Sequence, residues 1–479
     1  MPIRVRLHVI ACLVILWPKL AAAPALAADK TPPQAEAGSP AAPSADAAAH
    51  PWLNEIEAPL PAWFPKLLGA QWTVINQKQF PFHSDSSGPN SLNEHGEDKT
   101  SQTRSAYFGA RVTDNFHLYT DVEWFVGNGI HGGNGLGGYS NIEVVKAGSA
   151  NLAKKPYLAR YYGEYMLPLS GESADQARGM DQLPGRQPTE FAIAKFGKLS
   201  TADDFDNNRY ANNGRTNFIN FALVNNGAWD YAADTRGYTY GAMVGVVRSD
   251  WALKLGTYAL PVTENGARYD TYFTEDHADN IEFTLKALPN DAIVRFLAYA
   301  NHGRMPRYST VLSQARATGT TPDVATQDVS PGHLKYGFGL NGELPLADGG
   351  DTGVFMRAGW NDGRTATFAF TEIDRQVSAG GQLSGVHWGR DDDWLGLAIA
   401  ANFLSNQHRA YLAAGGVGFM IGDGSLRNYQ PEEIVETYYN LSVLDNLRLG
   451  PDYQFIRNPA YNGDRGPVHI VSFRLRAAM

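Results

Sequence analysis

The chain has 479 residues, of which 43% are hydrophobic, and it carries a formal charge of −9 and a single cysteine. The acidic balance argues against nucleic-acid binding, which needs a basic footprint. The only cysteine is Cys12, near the N-terminus, so a fold held together by disulfides is excluded for the rest of the chain.

The first 27 residues read as a signal peptide. Arg4 and Arg6 supply positive charge, Leu7 to Trp17 form an apolar run, and Ala25-Leu26-Ala27 resembles a cleavage site. A lipoprotein signal at Cys12 is the alternative, but the apolar run continues past that cysteine. Cleavage would remove three basic residues and no acid, taking the charge from −9 to −12.

Residues 28–66 are rich in alanine and proline and have few large apolar side chains. This composition predicts a disordered periplasmic segment. Its last part, from Pro51 to Pro65, carries Trp52, Trp63 and Phe64. Two interpretations stay open for it: a short plug or rim segment, or a linker with anchoring aromatic residues.

Residues 67–479 show repeated alternation of apolar and polar side chains. Ile281 and Phe283, for example, alternate with Glu282 and Thr284, so opposite faces of a strand would meet different environments. Segments of about ten such residues, repeated behind an export signal, are typical of a transmembrane β-barrel. No later segment approaches the roughly 20 apolar residues of a membrane helix. We therefore predict an all-β fold, a transmembrane antiparallel β-barrel with sixteen strands, near 68–79, 102–113, 116–127, 157–167, 189–199, 237–248, 250–260, 279–288, 291–301, 333–344, 352–361, 376–388, 393–403, 434–443, 446–457 and 467–477.

The predicted connections alternate between short and long. Residues 248–250 and 289–291 look like short periplasmic turns. The long polar stretches, expected as outer loops, are 80–101, 128–156, 200–236 and 302–332. This alternation is a second property of outer-membrane barrels.

The period of two also predicts which charged and aromatic side chains face the lumen. Arginine suits the wall of a channel for polar solutes because it offers five donors in a fixed fork and keeps its charge. On 157–167 the tyrosines are expected on the face opposite Arg160 and Glu164. The inward-facing candidates on the strands are Tyr107, Arg111, Asp121, Glu123, Arg160, Arg295 and Arg357.

Segment 200–236 combines many amides, carboxylates and guanidinium groups with aromatic rings. Such groups can hydrogen-bond sugar hydroxyls and stack on their C–H faces. We hypothesise that part of this segment folds into the lumen and narrows it; an external loop packed on its neighbours is the alternative. Its candidates for solute contact are Arg215, Trp229, Asp230 and Arg236.

Motifs for enzymatic chemistry or cofactor binding are missing from the sequence. There is no H-E-x-x-H, C-x-x-C, G-x-S-x-G or P-loop pattern. A calcium-loop match that starts at Asp204 fails, because Arg209 stands where glycine is needed and Arg215 where the bidentate glutamate should be. Asp121 and Glu123 share a strand face, but in this pattern a channel wall is favoured over a glycosidase pair. The sequence predicts no enzyme, no metal and no cofactor.

Several blocks of the sequence go beyond the barrel architecture: Phe205 to Ala211, Gly227 to Asp234, Arg236 to Gly241, Gly422 to Gly424, Tyr438-Tyr439, Pro451 to Ile456, Asn458 to Ala460 and Asp464 to Pro467, with shorter blocks at Gly88 to Leu92 and Tyr157 to Arg160. Together they resemble the carbohydrate-selective outer-membrane porins of the OprB type. The resemblance implies a sixteen-stranded barrel in the outer membrane of a Gram-negative bacterium, which passes monosaccharides and similar small polar solutes through a constriction lined by arginines and aromatic residues. Outer-membrane lipid, lipopolysaccharide and the insertion machinery are the implied partners, and the protein would be a monomer or a homotrimer, with the monomer favoured.

Two other functions remain beside the sugar-selective channel. A general diffusion porin, or a channel for other small anionic solutes, is the first alternative. A secreted soluble β-protein that acts on polysaccharide is the second, and it is less compatible with the alternating strands.

Overall fold

A computed structural model describes residues 67–144, 155–326, 329–368 and 371–479. The predicted signal peptide, residues 1–27, and the predicted Ala/Pro-rich segment, residues 28–66, lie outside the described residues and stay predictions. The described part of the chain holds no helix long and apolar enough to cross a membrane.

Sixteen strands form one closed antiparallel barrel, in which each strand pairs with its neighbours along the chain. The first strand closes the barrel against the last, with Thr73 opposite Arg476 and Ile75 opposite Arg474. Closure pairs the backbone groups of every strand edge, as a bilayer requires. The barrel strands are β1 (Leu67–Gln79), β2 (Glu97–Arg111), β3 (Phe116–Gly127), β4 (Tyr157–Pro168), β7 (Phe191–Leu199), β8 (Thr239–Val247), β9 (Trp251–Ala259), β10 (His277–Leu285), β11 (Ile293–Gly303), β12 (His333–Ala347), β13 (Thr352–Asn361), β14 (Arg375–Ser384), β15 (Trp394–Phe403), β16 (Glu432–Leu444), β17 (Leu447–Arg457) and β18 (Val468–Ala478).

Outside the barrel sheet, the described residues form a small separate hairpin, three α-helices and several short 3-10 helices. The hairpin consists of β5 (Ser173–Gln176) and β6 (Gly185–Pro188), which pair only with each other. The helices are α1 (Phe221–Val224), α2 (Tyr308–Thr318) and α3 (Asn406–Ala413).

The predicted fold is confirmed, and each predicted strand is present. The largest differences in bounds are at β2, which begins at Glu97 instead of residue 102, and at β14, which ends at Ser384 instead of residue 388. One orientation was wrong: Tyr162 is buried on the same inner face as Arg160, and only Tyr161 and Tyr165 are exposed on the outside. Because residues two apart on a strand share a face, Tyr162 points into the barrel like Arg160.

The two faces of the barrel wall differ in polarity. Large apolar side chains such as Phe196, Phe338 and Leu397 are more than half exposed on the outer face, where they meet lipid. Their neighbours along each strand point inward, and most of these are polar and buried. The burial of these polar residues shows that other parts of the chain cover them.

The connections at the two ends of the barrel differ in length. On one side, here the turn side, most links are short, for example residues 248–250 between β8 and β9. The prediction that all such links are short is wrong for residues 169–190, which join β4 to β7 and contain the β5–β6 hairpin. On the other side, the loop side, the connections between β1 and β2, β3 and β4, β7 and β8, and β11 and β12 are long, as predicted. The connection of residues 404–431 between β15 and β16 is also long and was not predicted. Short turns face the periplasm in bacterial barrels.

A buried charged cluster joins the loops at the loop side. In α3, His408 lies between the carboxylates of Asp374, 3.0 Å away, and Glu372, 3.6 Å away. The ring of Tyr308 in α2 stacks on His408 with 4.7 Å between centroids. Burial alone would lower the pKa of His408, but the two carboxylates outweigh it and raise the pKa to about 9. The imidazolium therefore links two helices to the connection between β13 and β14.

Candidate pore constriction

The connection between β7 and β8, residues 200–238 and called the lumen loop below, runs through the interior of the barrel. Most of its residues are buried. Its polar side chains bond inward-facing residues of distant strands: Asn208 donates to Asn341 of β12 at 2.7 Å, and Asn220 donates to Gln454 of β17 at 2.9 Å. These contacts reach wall strands on both flanks, so the loop crosses the lumen.

Carboxylates on the barrel wall accept hydrogen bonds from the backbone of the lumen loop. Glu282 of β10 accepts from the N–H of Asp206 at 2.7 Å. Glu436 of β16 accepts from the N–H groups of Ile219, at 2.5 Å, and Asn220, at 3.0 Å. An irregular segment has no sheet partners for its buried N–H groups, and leaving them unpaired is costly. The wall therefore supplies the missing acceptors.

Arg357 of β13 is a wall residue that donates hydrogen bonds to the lumen loop. Its guanidinium pairs with the carboxylate of Asp206 at 3.1 Å. It also donates to the carbonyl oxygens of Leu223, at 3.0 Å, and Ala211, at 2.6 Å. The side chain is fully buried, so the predicted inward position is correct, and the group is covered by the loop.

Arg160 of β4 forms the second strong attachment. It pairs with Asp121 of β3 at 2.9 Å and with both carboxylate oxygens of Asp203 in the lumen loop, at 2.7 and 2.8 Å. Asp181, from the turn-side connection, lies 3.5 Å away. One guanidinium thus faces three carboxylates, which lie on the wall and on two separate connections.

Arg215 and Glu123, both predicted candidates, contact each other directly. Arg215 in the lumen loop pairs with Glu123 of β3 at 3.0 Å and with Glu143 at 2.9 Å. The hydroxyl of Tyr238 also donates to Glu123, at 2.5 Å. Burial acts to lower the pKa of Arg215, and the carboxylates of Glu143 and Glu123 outweigh this effect and raise it. The guanidinium stays charged at any accessible pH.

Trp229 and Asp230 lie in the buried part of the loop. The indole N–H of Trp229 donates to Asn280 of β10 at 3.0 Å. The carboxylate of Asp230 lies 3.0 Å from the ammonium of Lys335 on β12. The carbonyl of Asp230 accepts from Asn301 of β11 at 2.5 Å. Both residues anchor the loop.

The remaining candidates lie at other positions around the lumen. Arg295 pairs with Glu343 at 3.1 Å and is buried. Arg236 lies over the ring of Tyr157, with 4.4 Å between its guanidinium carbon and the centroid. In separate contacts at the turn side, Arg111 donates to the carbonyl of Pro184 at 3.4 Å, and the hydroxyl of Tyr107 donates to the carbonyl of Met479 at 3.1 Å. The candidates therefore fall into several clusters and do not form one ring.

Two wall glycines allow the loop to approach the barrel closely. Gly339 of β12 and Gly359 of β13 both face Asn226, and a Cβ atom at either position would overlap the Asn226 amide. Side chains at these positions would push the loop away from the wall.

Sequence analysis did not identify several wall residues that hold the loop. Glu282, Glu343 and Glu436 accept its N–H groups, and Arg474 of β18 donates to the carbonyls of residues 214 and 217 at 2.8 and 2.7 Å. Strand alternation could have placed these four on the inner face. Nothing in the sequence could have named their partners, because the partners lie on an irregular segment.

The closed barrel with an apolar outer face, an interior of charged residues and a connection folded inside it defines an outer-membrane channel of the porin class. The chain belongs to the carbohydrate-selective porin, OprB family, whose model matches residues 185–479. Its place is the outer membrane of a Gram-negative bacterium.

Two solved structures of outer-membrane proteins are similar to this chain. The high-pH structure of Pseudomonas putida OprB matches with a TM-score of 0.61 and 12% sequence identity, covering 86% of this chain and 94% of that one. The outer membrane channel DcaP of Acinetobacter baumannii matches with a TM-score of 0.48 and 10% identity, covering 86% of this chain and 96% of that one. No curated protein sequence matches the chain.

Proposed function

We propose that the protein lets monosaccharides and similar small polar solutes diffuse passively across the outer membrane, through a lumen that the loop of residues 200–238 narrows. The supporting observation is the set of buried contacts between that loop and the wall, above all Arg357 with Asp206 and Arg160 with Asp203. A segment fixed by such pairs keeps one conformation, so the opening beside it has a defined size. A defined opening is what size and chemical selection require.

The predicted candidates divide into two groups under this proposal. Fully buried side chains such as Arg357, Trp229 and Asp230 hold the loop in position. Arg111 and Arg236 are half-buried, and their remaining donors suit the hydroxyl groups of a passing sugar. Charged groups of both signs around the opening would orient a polar solute by their transverse field.

Liposome swelling with a graded set of monosaccharides and disaccharides tests the proposal. We expect swelling to be fast with monosaccharides and to fall more steeply for disaccharides than their size alone explains. Rates that depend only on solute size would favour the alternative, a general diffusion porin. In an Arg111→Gln, Arg236→Gln double variant, the swelling rate should depend on the size of the sugar alone. Arg457→Gln, an exposed wall arginine that is 64% accessible, is the matched control.

Channels for other small anions remain the second candidate function, because several lumen arginines are present. Reversal potentials in a salt gradient separate the two functions. A sugar channel shows weak ion selectivity and a current that added sugar reduces, whereas an anion channel shows strong anion selectivity and a current that added sugar does not reduce.

We further propose that the protein is a monomer, with a homotrimer as the alternative; the mass of the detergent-solubilised protein tests this.

A further inference from the structure

The connection on the turn side between β4 and β7 enters the barrel from the end opposite to the lumen loop. Its hairpin, β5 with β6, carries a tip of residues 177–184, called the hairpin tip below. The tip closes on itself, since Gly179 and Gln182 exchange backbone hydrogen bonds at 3.2 and 3.3 Å. It is therefore a formed turn.

The hairpin tip packs against the inner face of the barrel. Leu183 is 1% exposed and belongs to the same apolar cluster as Tyr107 of β2, Tyr119 of β3 and Tyr162 of β4. All three tyrosines point into the lumen. Burial of a leucine among inward-facing rings places the tip inside the barrel, where it covers this part of the wall.

Polar contacts fix the tip on both sides of this cluster. Gln71, on the inner face of β1, donates to the sulfur of Met180 at 3.2 Å. Asp181 lies 3.5 Å from Arg160, whose position on β4 is eight residues from the turn-side end at Pro168. At roughly 3.3 Å per residue, Arg160 is about 26 Å along the strand from that end. The tip thus reaches deep into the lumen.

Arg160 also binds Asp203 of the lumen loop. A segment from the turn side and a segment from the loop side therefore meet at one guanidinium. Any solute that passes along this part of the wall has to pass both segments.

We propose that the hairpin tip is a second constriction of the channel, which enters from the turn side and sets the largest solute that passes beneath the lumen loop. This inference rests on the proposed function, because it assigns a selective role to a further segment of the same channel. Arg160 positions the two constrictions against each other. Asp181 is mostly covered, whereas Met180 is 39% exposed and is the large apolar side chain of the tip that stays accessible.

Replacement of residues 177–184 by two glycines tests the proposal in planar bilayers with potassium chloride. The conductance of a single channel should rise by about twofold, and disaccharides should swell liposomes faster, because a narrow segment limits flux. An unchanged conductance would overturn the proposal. Ion conductance does not depend on sugar selectivity, so failure here is distinguishable from failure of the proposed function, in which the unaltered protein shows no sugar preference.

A cysteine substitution gives a second test that leaves the backbone intact. Met180→Cys, followed by a charged methanethiosulfonate reagent, should lower the conductance, since the added group lies in the lumen. Asp175→Cys on the exposed side of β5 is the matched control and should react without any change in conductance. Reaction at position 180 with no drop in current, or no reaction there while position 175 reacts, would contradict the proposal.

Discussion

The lumen loop and the turn-side hairpin enter the barrel from opposite ends, and they are held there by different interactions. The lumen loop is attached to strands on both flanks of the barrel by buried ion pairs and by wall carboxylates that accept its N–H groups. The hairpin tip is held by the Asp181 carboxylate near Arg160, by contacts of Met180 and Pro184 with Gln71 and Arg111, and by the buried side chain of Leu183. The comparison indicates that a long irregular segment needs the wall as a hydrogen-bond partner for its backbone groups. In a short hairpin, the two strands pair the backbone groups with each other.

The largest loss of stability is expected from Arg357→Ala, which removes the ion pair and hydrogen bonds between β13 and the lumen loop. The change leaves the buried Asp206 carboxylate without its cation and two loop carbonyls without their donor, and removal of one partner of a buried pair costs about 3–5 kcal/mol. The free energy of unfolding, measured by denaturant titration in lipid vesicles, reports it. Arg457→Ala, which removes an exposed pair with Glu433, should cost less than about 1 kcal/mol. Equal effects of the two changes would contradict the assigned role of Arg357.

The third region to compare is the cluster around His408, which joins the loops at the loop side, and its contribution to stability should depend on pH. The pKa of His408 is raised to about 9 in the folded protein, against about 6.5 in an unfolded chain. The interaction of the protonated His408 ring with its two carboxylates therefore stabilises the fold fully below about pH 6.5, and this stabilisation is lost as the pH rises through 9. The loss is on the order of 3 kcal/mol, since one pKa unit corresponds to about 1.4 kcal/mol.

His408→Gln provides the control for that measurement. The variant should be less stable at pH 6 and should show a flatter dependence of the unfolding free energy between pH 6.5 and 9. An unchanged pH dependence in the variant would show that another group titrates in this range.

Gly359→Val should displace the lumen loop without removing any charge. The new side chain overlaps the Asn226 amide, and overpacking of a close contact costs about 1–3 kcal/mol. Single-channel recordings should show a noisier current with several conductance levels, because the loop loses its unique position. Gly171→Val is the matched control, since a Cβ atom there meets nothing within 4 Å. A quiet, unchanged current in Gly359→Val would mean that the loop does not border the conducting path.

The smallest effect on global stability is expected from Leu183→Ala. The hairpin contacts the wall at the adjacent strands β1 to β4 and can detach locally without unfolding the rest of the barrel, so the unfolding free energy of the barrel should change by less than about 1 kcal/mol. Protease added from the turn side should, however, cut residues 169–190 faster than in the unaltered protein. Resistance equal to that of the unaltered protein would show that Leu183 is not the anchor.

The alternation of side chains was sufficient to predict all sixteen barrel strands, because each strand separates lipid from a polar interior. It also placed Tyr107, Arg111, Asp121, Glu123 and Arg357 on the inner face. It failed for the hairpin of residues 173–188, whose strands of four residues are too short to show a period and belong to neither face of the membrane wall.

The partners of the inward-facing residues could not be predicted from the pattern. Arg357 and Asp206 are 151 residues apart in the sequence, and their contact depends on the path of an irregular loop through the lumen. Strand alternation gives the direction of a side chain, but it carries no information about which loop residue lies opposite. The amides, carboxylates and aromatic rings of segment 200–236 supported the hypothesis that part of it folds into the lumen, but they did not give its path there.

The conductance of a variant that lacks part of the lumen loop tests the central claim most directly. Residues 207–226 are replaced by a short glycine-serine linker, and folding is checked by the heat-modifiable migration of the closed barrel. The account predicts a channel with several-fold higher conductance whose current is no longer reduced by added monosaccharide. A folded variant with the conductance of the unaltered channel would contradict it, because the loop could then not narrow the lumen.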